Sequence, residues 1–130
     1  MAFPDKNRSL LESVKYAVEG INEAVRVEKN LKKHLVLTGV VILAGIFFNI
    51  SSVEWMAIVL SIGLVLGMEL INTSIEYAVD LACNKQYHEL AKKAKDASAG
   101  AVLTVAIMSV VIGMIIFIPK LWDLFLVLIN

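Results

Sequence analysis

Three apolar runs, at about Leu35–Ile50, Val53–Ser74 and Ala97–Ile118, constrain this chain more than any other feature. A helix needs roughly 20 mostly apolar residues to cross a bilayer, and the second and third runs meet that length. The first is short, but His34 and the lysines before it can extend it by keeping their polar heads at the interface. Only Asn49–Ser52 separate the first two runs, so these form a helical hairpin. The composition agrees. Of 130 residues, 58% are hydrophobic, with a mean hydropathy of +0.77. One domain of this size cannot hide that much apolar surface in its own core. The expected fold is an all-α membrane protein.

The 12 basic and 12 acidic residues balance overall but are unevenly spread. Eleven of the 12 Lys and Arg lie before Leu35 or between Lys85 and Lys95, and the Asn49–Ser52 turn has none. The positive-inside rule therefore puts the N-terminus and the second basic segment in the cytoplasm. Three spans then leave the C-terminus outside. Glu12, Glu19, Glu23 and Glu28 interleave with the N-terminal cations, so a nucleic-acid partner is not expected. The single cysteine, Cys83, excludes an internal disulfide and a Cys-rich metal site. The long, acid-containing N-terminal segment does not read as a cleavable signal peptide.

Before the first span, Leu10, Val14, Ala17, Val18, Ile21 and Val25 recur at helical spacing with charged residues between them, which predicts an amphipathic helix on the membrane surface. The expected division of the single domain is a surface helix over 1–33, membrane helices over 34–51, 53–81 and 96–119, and a cytoplasmic loop over 82–95. Trp55 and Trp122 suit an interfacial aromatic belt. Gly63 and Gly67 form a GxxxG that allows close helix approach.

The second run closes on "MELINTSIEYAVD" at 68–80, where charge enters an apolar helix. At about 100° per residue, Glu69, Asn72, Thr73, Glu76 and Asp80 share a sector roughly 100° wide. A carboxylate at the bilayer centre costs about 2.5–3.5 kcal/mol on insertion scales, so this face must point into protein or a wet cleft. An ion or proton pathway, a structural polar seam and an interfacial active site all fit it. Lys92, Lys93 and Lys95 beside Asp96 stand next in sequence to its cytoplasmic end. Carboxylates that hold Mg²⁺ and a lysine that neutralises phosphate are what phosphoryl transfer requires. No P-loop and no protein-kinase glycine-rich loop is present.

"ELINTSIEYAVD" at 69–80, followed by "AKDASAGAVL" at 94–103, closely resembles the prokaryotic diacylglycerol kinase family, small trimeric integral membrane kinases. "EKN" at 28–30, "VEWM" at 53–56 and "IPKL" at 118–121 resemble its Gram-positive branch, which is similar to undecaprenol kinases. The resemblance implies a homotrimer in the bacterial cell membrane with active sites shared between neighbouring subunits. The reaction implied is ATP- and Mg²⁺-dependent phosphorylation of a lipid alcohol: undecaprenol first, diacylglycerol as the alternative. A small ion-conducting oligomer is the non-enzyme alternative. By resemblance, Glu69 is the general base and Asn72 orients lipid or phosphate. Glu76 and Glu28 are the metal ligands. Lys95 and Asp96 contact ATP, with Tyr16, Tyr87 and His88 near the nucleotide. The chain departs from the diacylglycerol kinase branch in two places. The loop "LACNKQYHELA" is one residue longer, and Ser9, with Arg8 adjacent, stands where that branch has an arginine.

Overall fold

The structure is a computed structural model and describes residues 9–129; the first eight positions of the expected surface helix, Arg8 included, lie outside the described residues. Within them the chain forms four helices: α1 (Leu10–Val27), α2 (Lys29–Phe47), α3 (Ser52–Ala82) and α4 (Glu89–Ile129). Three of them, α2, α3 and α4, are long and apolar enough to cross a membrane. Helices meet all their backbone hydrogen-bonding needs internally, as a hydrocarbon solvent demands. Hydroxyls follow suit: the buried Ser61 and Thr73 and the half-buried Ser109 donate to the carbonyls of Ala57, Glu69 and Val105, four residues back.

Helix α1 starts on a capping box, with Ser9 Oγ accepting from Glu12 N–H and the Glu12 carboxylate accepting from Ser9 N–H. It ends earlier than the expected 33. Glu28 is extended (φ −86°, ψ 118°), ends α1 through its N–H to Ala24 O and starts α2. Lys32 Nζ turns back to Arg26 O at 2.9 Å, so one of the lysines expected to snorkel caps α1 instead. Leu31–Lys33 therefore belong to the membrane helix.

Between α2 and α3, Asn49 takes the left-handed region (φ 47°), which its short polar side chain tolerates. Ile50 N–H returns to Gly45 O at 3.1 Å, closing a six-residue cap of the Schellman kind. Ser51 and Glu54 form a second capping box. Glu54 also pairs with Lys120 of α4 at 3.1 Å. Trp55 does not simply face the interface. It joins the cluster around Ile50, Ile58 and Ile116, and its ring lies against Gly45. A Cβ at Gly45 would stand 2.8 Å from that ring and 3.1 Å from the Ile50 side chain. We expect Gly45→Val to lower the unfolding free energy in detergent micelles by about 2–3 kcal/mol through overpacking. Equilibrium unfolding followed by Trp fluorescence measures it.

The loop before α4 is shorter than the expected 82–95, and α4 outruns the expected 96–119 at both ends. The charged stretch looks like loop by polarity alone. Its charges, however, are i,i+4 partners, Glu89 with Lys93 and Lys92 with Asp96, on an alanine-rich background that favours helix. Pro119 does not end α4. In an apolar surrounding the flanking backbone has no better partner than the helix itself, so a proline is tolerated.

Helix α3 is central and meets α1, α2 and α4, most extensively α4. The backbones of α2 and α4 do not approach each other. Near the turn the gap between them is bridged by the Phe48 and Phe117 rings, 6.1 Å apart. Gly63 and Gly67 face no neighbour: a Cβ at either meets nothing within 4 Å. The GxxxG therefore serves no helix contact within this chain.

Candidate active site

The polar face of α3 is graded by depth. Glu69 and Thr73 are each only 4% exposed, while Asn72, Glu76 and Asp80 are half-buried. A buried carboxylate needs a partner, and α2 supplies one that sequence reasoning missed. His34 Nε2 lies 3.1 Å from Glu69 Oε1. The expectation for His34 was an interfacial position. No local pattern marked it, because its partner is 35 positions away in the chain and the pairing depends on how α2 crosses α3.

One turn on, Asn72 Nδ2 donates to Glu76 Oε1 at 2.9 Å. Asn72 Oδ1 is buried and has no hydrogen-bond partner among the described residues. An unpaired buried acceptor costs about 1–3 kcal/mol, so this oxygen is poised for a donor or a cation. At the end of the stripe, Asp80 Oδ1 meets Lys95 Nζ of α4 at 2.5 Å. That pair locks the exit of α3 to the start of α4 across the loop, and it assigns Asp80 a contact with a cation.

Other candidate residues are placed more loosely. Asp96 pairs with Lys92 on the exposed side of α4. Glu28 sits at the α1–α2 break, where its side chain takes no part in capping α2. Tyr16 is partly exposed on α1, and Tyr87 is 82% exposed in the loop. His88 Nδ1 accepts from Leu90 N–H at 3.2 Å, capping the start of α4. That cap accounts for a histidine at this position without a nucleotide. The structure thus joins His34, Glu69, Asn72, Glu76, Asp80 and Lys95 along one face, while Tyr16 lies on α1, Glu28 at the α1–α2 junction, Tyr87 and His88 in the loop before α4, and Asp96 on α4.

A cavity of about 290 Å³ opens between α2, α3 and α4, lined by His34, Thr38, Ile58, Val65, Ser109 and Phe117 among others. His34 is the one ionisable group in its wall. The imidazole therefore touches the buried carboxylate and also faces the cavity. The oxygen donors on this face, the Glu76 carboxylate and the unpartnered Asn72 Oδ1, are of the hard type that Mg²⁺ prefers. Among the described residues no three His, Cys, Asp or Glu side chains converge on one point. That suits a cation bound through one or two carboxylates with phosphate and water completing its shell.

Three apolar helices with a carboxylate and lysine cluster at one end, above an apolar cavity, define a membrane protein built to bring a lipid and a charged group together. Comparison with known proteins makes the class specific. The family model for prokaryotic diacylglycerol kinase matches residues 15–117, and the chain belongs to that family of membrane lipid kinases. Among its relatives is a Bacillus subtilis protein named undecaprenol kinase, 46% identical over 110 residues, 85% of this chain and 89% of the relative. A Synechocystis diacylglycerol kinase is 38% identical over 116 residues, 89% of this chain and 66% of the relative. A Haemophilus influenzae diacylglycerol kinase is 30% identical over 109 residues, 83% and 92% of the two chains. Membership of a kinase family decides between an enzyme and a conducting oligomer in favour of the enzyme.

Proposed function

We propose that this chain transfers the γ-phosphoryl group of ATP to the hydroxyl of undecaprenol. The observation that carries the reading is the buried Glu69 carboxylate next to the His34-lined apolar cavity. A base so placed can meet a hydroxyl whose tail stays in an apolar space. The cavity is at the small end of ligand sites and holds only the head-proximal part of a long chain; the rest lies in the bilayer.

In this reading Glu69 takes the proton of the lipid hydroxyl as its oxygen bonds to the γ-phosphorus, and the bond to the ADP oxygen breaks. Asn72 holds Glu76 in place and offers its free carbonyl oxygen to the phosphate–cation assembly. Lys95, kept by Asp80 at the mouth of the site, moves onto phosphate when nucleotide arrives, while Asp96, Tyr16, Tyr87 and His88 surround the nucleotide. Glu76 and Glu28 would hold Mg²⁺, which when bound offsets phosphate charge. The site lies at the cytoplasmic interface, where the cations gather. The chain works as a homotrimer whose neighbouring subunits complete each site.

Undecaprenol is favoured over diacylglycerol by the 46% identity to a protein of that name, against 38% and 30% for diacylglycerol kinases. Those same relatives make diacylglycerol the second reading. Both lipids offered to the purified protein in one mixed-micelle assay should give faster ³²P transfer from ATP to undecaprenol. Faster transfer to diacylglycerol would reverse the assignment.

A further inference from the structure

We propose that His34 is a positioning residue for the phosphoryl transfer, acting through Glu69 by fixing one carboxylate oxygen and so aiming the other at the incoming hydroxyl. The inference rests on the reading of Glu69 as the base. His34 Nε2 is 3.1 Å from Glu69 Oε1. With that oxygen occupied, only Oε2 is left for an incoming hydroxyl, so the imidazole determines which way the base points. The carboxylate is 4% exposed, and among the described residues it forms no ion pair with any other group.

The imidazole also sits where the substrate must pass. It lines the apolar cavity, so a hydroxyl brought from that space meets His34 and Glu69 together. Among the described residues, the rest of the cavity wall adds no competing charge. From α3 the ionisable group facing His34 is Glu69. The α4 residues lining the cavity, Ala106, Ser109, Val110, Gly113 and Phe117, carry none. On α2 itself the neighbouring Lys33 is exposed and turned back to Asn30 Oδ1 at 3.3 Å, and Glu28 stands at the α1–α2 junction.

Glutamine places a neutral amide donor near the same position, so it should keep the orientation of the Glu69 carboxylate that alanine would lose.

The test is kcat and KM for lipid and ATP for wild type, His34→Gln, His34→Ala and Glu69→Gln in micelles. His34→Ala should lower kcat by about 10- to 100-fold, the scale of a misplaced catalytic group, with KM for ATP unchanged. His34→Gln should recover most of that loss. The inference is overturned if His34→Ala turns over within twofold of wild type. It is equally overturned if Gln and Ala lose alike. Should the alanine variant fail to fold, the glutamine variant decides alone: kcat within about threefold of wild type supports the inference, and a larger loss overturns it. Wild-type turnover by Glu69→Gln would instead refute the base assignment beneath it, a result separable from any outcome at His34.

Discussion

Replacing Glu69 by Gln should lower kcat by about 10²- to 10⁴-fold, the usual contribution of a positioned general base. Nucleotide affinity should stay within about twofold. The amide is nearly the same size as the carboxylate, so packing beside Thr73 is preserved. Two things change: the group can no longer take a proton, and His34 loses its anionic partner. The Gln amide oxygen can still accept from His34 Nε2, so the imidazole keeps a hydrogen-bond partner at the buried site. We therefore expect Glu69→Gln to be folded. Turnover and micelle unfolding measured side by side separate the catalytic loss from a structural one. Normal turnover in the variant would remove Glu69 from the reaction.

Glu76→Gln should act on the other substrate. Its carboxylate accepts from Asn72 Nδ2 at 2.9 Å and stands one turn from the unpartnered Asn72 Oδ1. The substitution removes the anionic oxygen available to a cation and exchanges a charge-assisted hydrogen bond for a neutral one, about half as strong. We expect Mg²⁺-dependent nucleotide affinity to fall by about 10- to 100-fold, read as a weaker response in calorimetric titration of ATP with Mg²⁺ present. Binding of ATP in chelator should change little. Equal affinity with and without Mg²⁺ in both proteins would take Glu76 out of the cation site. The two glutamates lie seven residues apart on one helix face, yet the expected defects differ. Glu69 affects kcat with nucleotide binding intact, and Glu76 affects nucleotide binding through the cation.

The polar stripe was legible because a helix repeats: five polar residues in a sector roughly 100° wide cannot be hidden by any rotation of α3. Its division was not legible. The i,i+4 spacing of Asn72 and Glu76 allows their bond, but nothing local told that Glu69 would meet α2 or that Asp80 would meet α4. Those pairings depend on interhelical crossing, as does the position of His34. Element ends show the same limit in miniature. Ser9–Glu12 and Ser51–Glu54 are local signals and mark the starts of α1 and α3. The start of α4 was misplaced because its charged first turns look like loop until their i,i+4 partners are paired. Its end was misplaced because proline is a weaker stop in an apolar helix than in a soluble one.

The chain alone determined that this is a helical membrane protein with one charged end, since apolar length and charge placement leave no other solvent and no other face for its carboxylates. Motif spacing alone placed it beside a kinase family. Tertiary structure decided what the charged end contains. It closed Glu69 against His34, set a cavity beside that pair, left one oxygen of Asn72 without a partner and locked Lys95 to Asp80. Each of these joins residues by distance through space, with the helices fixing the geometry, and apart from the bond between Asn72 and Glu76 no sequence interval encodes it.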